Sequence, residues 1–134
     1  MDFNDTPEEA AFRAKARAFL DSNAELRTQE DPPPELVGGR GDPEAVRDAK
    51  RWQRLKADNG WACLTWPKEF GGQAASPIQN VIYRQEEARY RTPADIFLIG
   101  LGMLGPTIMA HVTVEQKDRY ILKMLRGEEV WCQL

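Results

Sequence analysis

Three times along the chain a hydroxyl residue is followed three positions later by Glu or Gln at the head of a helically periodic stretch: Thr6-Pro7-Glu8-Glu9, Ser76-Pro77-Ile78-Gln79 and Thr113-Val114-Glu115-Gln116. In such a capping box the hydroxyl accepts from one orphan backbone N–H and the Glu or Gln side chain accepts from another, so each tetrapeptide predicts where a helix starts. Proline at the first helical position of the first two boxes loses nothing, because that N–H has no intrahelical partner anyway. After the first box, Phe12, Ala16, Phe19 and Leu20 fall at i, i+4, i+7 and i+8, one apolar stripe. The helix they define should end before Pro32-Pro33-Pro34. After the third box, Tyr120, Ile121, Met124 and Leu125 give a second stripe, which Gly127 should stop in a left-handed cap.

The remaining segments read in the same way. The stretch "EDPPPELVGGRGDP" is a loop, since its prolines remove backbone donors and its glycines allow turns that other residues adopt at a cost. From Pro43 a helix runs through Ala45, Ala49, Trp52 and Leu55 to Gly60, followed by the loop "WACLTWPKEFGG". The Ser76 box opens a helix through Val81, Ile82 and Tyr83 to about Tyr90. Thr92-Pro93-Ala94-Asp95 is expected to open a very apolar helix to about Leu104, with a short further turn or helix from Pro106 to His111. Val130 to Leu134 is a β-prone run that would begin a strand. The predicted class is all-α, an orthogonal or up-down bundle of five to six helices ending in one strand.

A chain of 134 residues can bury a real core. Its 18 Lys and Arg against 21 Asp and Glu, without a basic run, exclude the electrostatic footprint of a nucleic-acid binder. The N-terminus is acidic before it is basic and lacks an apolar signal core, and the apolar stretch from Ile96 to Leu104 is too short to span a bilayer. The expectation is a soluble, cytoplasmic protein without a membrane span. Cys63, Cys132 and the single His111 have no metal-ligand spacing, so no metal is expected and the thiols read as buried and reduced.

Few residues invite chemistry. "GLGMLG", Gly100 to Gly105, satisfies G-x-G-x-x-G with Asp118 downstream, but a dinucleotide site needs a strand before the glycines and the acid after a second strand, whereas Asp118 falls inside a capped helix. Small residues that allow a helix or an apolar ligand to approach closely are the preferred reading. Glu86 and Glu87 diverge by about 100° on a helix and cannot share a proton, so a solvated face with Arg84, Arg89 and Arg91 nearby is expected. His111 has no assignable carboxylate or nucleophile beside it. Trp61 and Trp66 could stack on a ligand, although aromatics in such a loop more often pin it to the core. From the residues alone, no catalytic residue can be named.

Several stretches taken in order resemble the acyl-CoA dehydrogenase family. "GWACLTWPKEFGG" is similar to its G-W-(x)-W-P-x-x-x-G-G segment, "RQEEARY" to its E-E-x-A-R helix, and "GLGMLGPTIMAHVTVEQKDRYILKMLRGEEVWCQL" to its long stretch ending in G-E-x-x-W-C-Q. The likeness spans roughly residues 5 to 134. It implies an N-terminal helical domain at 1–127 and, at 128–134, the start of a truncated β-domain that binds flavin. It also implies FAD-dependent α,β-desaturation of an acyl-CoA thioester, electrons leaving to an electron-transferring flavoprotein, and a homo-oligomeric parent built as a dimer of dimers. By the same resemblance Trp131, Gln133 and Leu134 would contact the cofactor, while Phe97, Leu98, Leu101 and Gly102 would line the far end of the acyl pocket. The catalytic base would lie outside this chain, leaving it inactive alone. Val112 and Lys123 stand where the family commonly has glycine and proline, so the turn before the last helix needs only an ordinary φ. A stand-alone helical module that adds its terminal strand to a partner's sheet, or a nonenzymatic subunit of a heteromeric dehydrogenase, are the other readings.

Overall fold

The computed structural model describes residues 4–32 and 42–132. Among them run α1 (Pro7–Asn23), β1 (Glu25–Leu26), α2 (Pro43–Asp58), a 3₁₀ turn (Lys68–Phe70), α3 (Pro77–Glu87), β2 (Tyr90–Arg91), a π turn (Gly100–Leu104), α4 (Gly105–His111) and α5 (Val114–Leu125). The class is all-α, as expected. All three capping boxes form: the Thr6, Ser76 and Thr113 hydroxyls accept from the backbone N–H groups of Glu9, Gln79 and Gln116, and each of those side chains accepts in return from its cap residue's N–H. Gly60 and Gly127 adopt φ of +75° and +70°, the left-handed conformation expected where helices stop. Val112 needs no such conformation, with φ −103°.

The residues form two compact units. In one, α1 packs on α3 and the antiparallel pair β1–β2 matches Glu25 with Arg91 and Leu26 with Tyr90. Ala16 and Leu20 of α1, Ile82 and Tyr83 of α3, and Tyr90 are its buried residues. Glu86 corrects the expectation of a solvated face. Its side chain is 4% exposed and is gripped by Arg17 (Nη2 to Oε1, 3.0 Å; Nε to Oε2, 3.0 Å), Arg13 (Nη1 to Oε1, 3.2 Å) and Arg89 (Nη1 to Oε2, 2.8 Å). Hydrogen bonding from Arg17, and then from Arg13 and Arg89, outweighs burial and holds its carboxyl down at about 2. Glu87 is buried as well and accepts from the Tyr83 hydroxyl at 3.3 Å. A two-residue strand such as β1 gives too little alternation to be legible beforehand.

In the other unit, α2, α4 and α5 gather around Ala62, Trp66, Ile108, Ile121, Met124 and Leu125. Trp66 is 6% exposed and pins its loop, as expected. The chain coils round it, with the Ala74 N–H donating to the Trp66 carbonyl at 2.8 Å. That coil puts Cys63 and Ala74 at φ of +46° and +49°. Cys63 is half-buried and Cys132 exposed, so the thiols are less enclosed than expected.

One further expectation needs correction. Residues 93–97 are not helical: the Asp95 carboxylate accepts from the Phe97 N–H at 2.9 Å in an Asx turn, and helical hydrogen bonding begins with Leu101 N–H to Phe97 carbonyl. Helix then continues from 98 through the π turn into α4, whose bounds, Gly105–His111, match the short further turn or helix expected from Pro106 to His111. Val130, Trp131 and Cys132 pair with no strand among the described residues, as a strand whose partners belong to a further domain would not.

Candidate functional site

The segment from Phe97 to His111 is the most chemically distinctive part of the second unit. A proline within a helix cannot donate to the carbonyl four residues back, and its ring presses on that carbonyl. Pro106 therefore leaves Gly102 without an ordinary helical partner, and the strain is taken up upstream: the Gly105 N–H bonds to Gly100 five residues back, so one extra residue is accommodated per turn. Thr107 Oγ1 donates to the Met103 carbonyl at 2.9 Å within the same stretch.

The four residues expected along an acyl chain are placed differently from one another. Leu98 is 44% exposed and Gly102 is also exposed. A Cβ built on Gly102 would meet only Leu98 Cδ1, at 4.0 Å, so the surface there is open. Leu101 points the other way and packs against the Trp66–Met124 core. Phe97 is 3% exposed and packs on Gly127, where an added Cβ would stand 3.0 Å from its ring, so it supports this stretch from within instead of facing outward. Met103, 56% exposed, belongs to the open edge and was not singled out from the sequence. Its signal lay in Pro106, whose missing N–H forces the change of register.

Of the residues expected near a cofactor, Gln133 and Leu134 lie outside the described residues. Trp131 is well placed to be described. Its ring meets Tyr120 edge to face, with centroids 5.3 Å apart and planes at 88°. Its Cβ would be 3.3 Å from a Cβ on Gly100, so the first residue of the π turn has to be small for the indole to lie there. The indole Nε1 is buried with no partner at hydrogen-bonding geometry among the described residues. The neighbouring Glu129 carboxylate, held low chiefly by the Arg119 guanidinium at 2.8 Å, feels that N–H only weakly. A buried donor left without an acceptor is costly, and the Glu129 carboxylate is the group beside it that could accept.

Among the described residues no group of three or more His, Cys, Asp or Glu could hold a metal ion, and no helix is long and apolar enough to cross a membrane. His111 is exposed at the end of α4. Gly105 serves packing: a Cβ there would stand 2.4 Å from the Trp66 ring, which accounts for the third glycine of "GLGMLG" without a nucleotide.

Comparison with known proteins agrees with this architecture. Residues 6–128 match the family model for the acyl-CoA dehydrogenase N-terminal domain. The acyl-CoA dehydrogenase IpdE1 of Mycolicibacterium smegmatis is 34% identical over 128 residues, covering 91% of this chain and 31% of that protein. Among solved structures, the ChsE4-ChsE5 complex from Mycobacterium tuberculosis superposes with a TM-score of 0.64 at 25% identity, over 96% of this chain and 30% of that one. The Tcur3481-Tcur3483 steroid ACAD superposes with a TM-score of 0.63 at 25% identity, over 97% of this chain and 32% of that one. The chain thus spans about a third of the length of these relatives. With the family match running over nearly all of its helices, the chain belongs to the acyl-CoA dehydrogenase family through that family's N-terminal domain.

Proposed function

We propose that this chain is the N-terminal part of an FAD-dependent dehydrogenase that introduces an α,β double bond into an acyl-CoA thioester, supplying acyl-pocket and flavin-facing surface but no catalytic base. The observation that carries this reading is the π turn, which presents an open apolar edge (Leu98, Gly102, Met103) and, at Gly100, seats Trp131, whose indole N–H is buried without an acceptor at hydrogen-bonding geometry among the described residues. The first suits an apolar tail. The second suits a polar ring edge, and Trp131 with Gln133 and Leu134 would hold the flavin; FAD, when bound, would supply the hydride acceptor for the oxidation. The chain's own task is then to orient the acyl tail along 98–103, to exclude water, and to offer an N–H to the ring. In the parent, residues 128–134 would open the β-domain, electrons would pass to an electron-transferring flavoprotein, and the assembly would be a dimer of dimers.

A second reading has specific support. Both solved relatives named above are pairs of different chains, one of them a steroid ACAD, so this chain would equally serve as the N-terminal part of one subunit of a heteromeric dehydrogenase with a bulky, steroid-type substrate. The test is to purify the intact natural product carrying this sequence, weigh it against 15.2 kDa and record its visible spectrum. A larger yellow protein that desaturates acyl-CoA thioesters with electron-transferring flavoprotein present is expected. A colourless protein that gains flavin only with a partner chain would favour the heteromer, and one that neither binds flavin nor turns over acyl-CoA in either form would refute both readings.

A further inference from the structure

The carbonyls at the end of a helix lack intrahelical donors, and how they are satisfied decides the direction in which the chain leaves. At the end of α5 the solution is unusually complete. The Glu128 N–H reaches the Lys123 carbonyl at 2.9 Å and the Gly127 N–H reaches Met124 at 3.0 Å, which is a Schellman motif around left-handed Gly127. Neither bond touches the Leu125 carbonyl, and here α2 intervenes. Gln53, 3% exposed, donates from Nε2 to that carbonyl at 2.7 Å.

Two more contacts come from the same helix. Lys50 Nζ donates to the Glu128 carbonyl at 3.1 Å, and Asp58 pairs with Arg126 at 2.8 Å. Gly127 itself is wedged between Gln53, whose Cβ would be 3.0 Å from an added Cβ, and the Phe97 ring on the other side. One helix therefore engages residues 125, 126 and 128 in succession, immediately before Trp131. Cap closure alone would need none of these side chains beyond Gln53.

We propose that α2 is a latch on the segment leaving α5, with Gln53 as its central positioning residue, fixing the direction of residues 128–131 and thereby the seat of the Trp131 indole against Tyr120 and Gly100. The importance of that seat for flavin rests on the function proposed above, whereas the latch itself does not. Gln53 is buried and polar for a reason that core packing does not supply: an apolar residue would fill the space but leave the Leu125 carbonyl without a donor. Lys50 acts from the rim and can be altered without disturbing the core.

The test uses Gln53→Met, Lys50→Met and Lys50→Arg in the chain as it stands, read by amide hydrogen exchange and by the indole N–H resonances of its four tryptophans. Gln53→Met should raise exchange at Gly127 and Glu128 by tenfold or more and move the Trp131 indole signal, with the Trp52, Trp61 and Trp66 signals staying in place. Lys50→Met should do the same more weakly, and Lys50→Arg should restore the wild-type pattern. A Gln53→Met protein that loosens uniformly, or one in which residues 127–131 do not change, overturns the latch. If Gln53→Met does not fold, the lysine pair decides the matter by the same criteria. In the intact parent protein, removing FAD and finding no change at Trp131 would count against the flavin assignment and leave the latch standing.

Discussion

Gly102 and Gly105 lie three residues apart in one helical run, yet alanine should have opposite effects at the two positions. Neither has a left-handed φ, so backbone strain does not enter. Replacing glycine by alanine in a helix gains about 0.8–1.0 kcal/mol from propensity alone. At Gly102 the added methyl meets only Leu98 Cδ1 at 4.0 Å, an ordinary contact, so most of that gain should survive and stabilise by about 0.5–1 kcal/mol. At Gly105 the methyl would lie 2.4 and 2.6 Å from two atoms of the buried Trp66 ring, which cannot swing aside in a packed core. Overpacking of this kind costs about 1–3 kcal/mol, and the rigidity of the indole argues for the upper end. The net effect is about 2 kcal/mol of destabilisation after the propensity gain is deducted. Urea unfolding followed by tryptophan fluorescence is a suitable assay, because Trp52, Trp61, Trp66 and Trp131 all belong to the second unit and report on its stability. The two midpoints should move in opposite directions with the slope unchanged. In heat, the shift is roughly 3–5 °C per kcal/mol for a chain of this size, up for Gly102→Ala and down for Gly105→Ala. Two shifts of the same sign, or a neutral Gly105→Ala, would refute the assigned roles of open edge and packing glycine.

In the first unit, Glu86→Gln removes the carboxylate shared by Arg13, Arg17 and Arg89 and should destabilise by about 1–3 kcal/mol, below the range for a fully buried pair because Arg17 and Arg89 are half exposed. Glu86 has a folded value near 2 against an ordinary 4.5, so its contribution is present above the unfolded value and is lost as pH falls from about 5 through about 2. Circular-dichroism melts across that interval should show the wild type losing stability that Glu86→Gln never had, and parallel profiles would sink the assignment. Thr113→Ala removes the capping hydroxyl of α5 and should cost about 1 kcal/mol, with Thr113→Ser nearly neutral in the same urea titration. An alanine variant as stable as wild type would mean that the box is ornamental.

Where helices begin and end was set by groups within one turn of each other. Thr6, Ser76 and Thr113 name their own caps because the acceptor and the N–H it satisfies are three residues apart, and Gly60 and Gly127 name their stops because only the local φ is at issue. The family, too, was legible, since it is carried by short motifs in a fixed order. What depended on distant partners was not. Glu86 reads as surface by its charge, and becomes buried because arginines some seventy residues earlier close around it. The two-residue strands β1 and β2 exist only through each other.

At the candidate site the same division holds. The glycines and Pro106 announced that the helix at 98–111 would be unusual, but which glycine faces Trp66, which faces Trp131 and which faces open space was decided by tertiary packing. Gln53 gave no sign at all of its task, since a glutamine midway along a helix is ordinary until the Leu125 carbonyl, 72 residues away, is seen to need a donor. The amino-acid sequence by itself determined the helices, their caps and the family, because those are fixed by interactions within a few residues. The open edge at Leu98 and Met103, the buried seat of the Trp131 indole and the grip of α2 on the end of α5 were decided only by the tertiary structure, because each depends on groups that the chain keeps far apart until it folds.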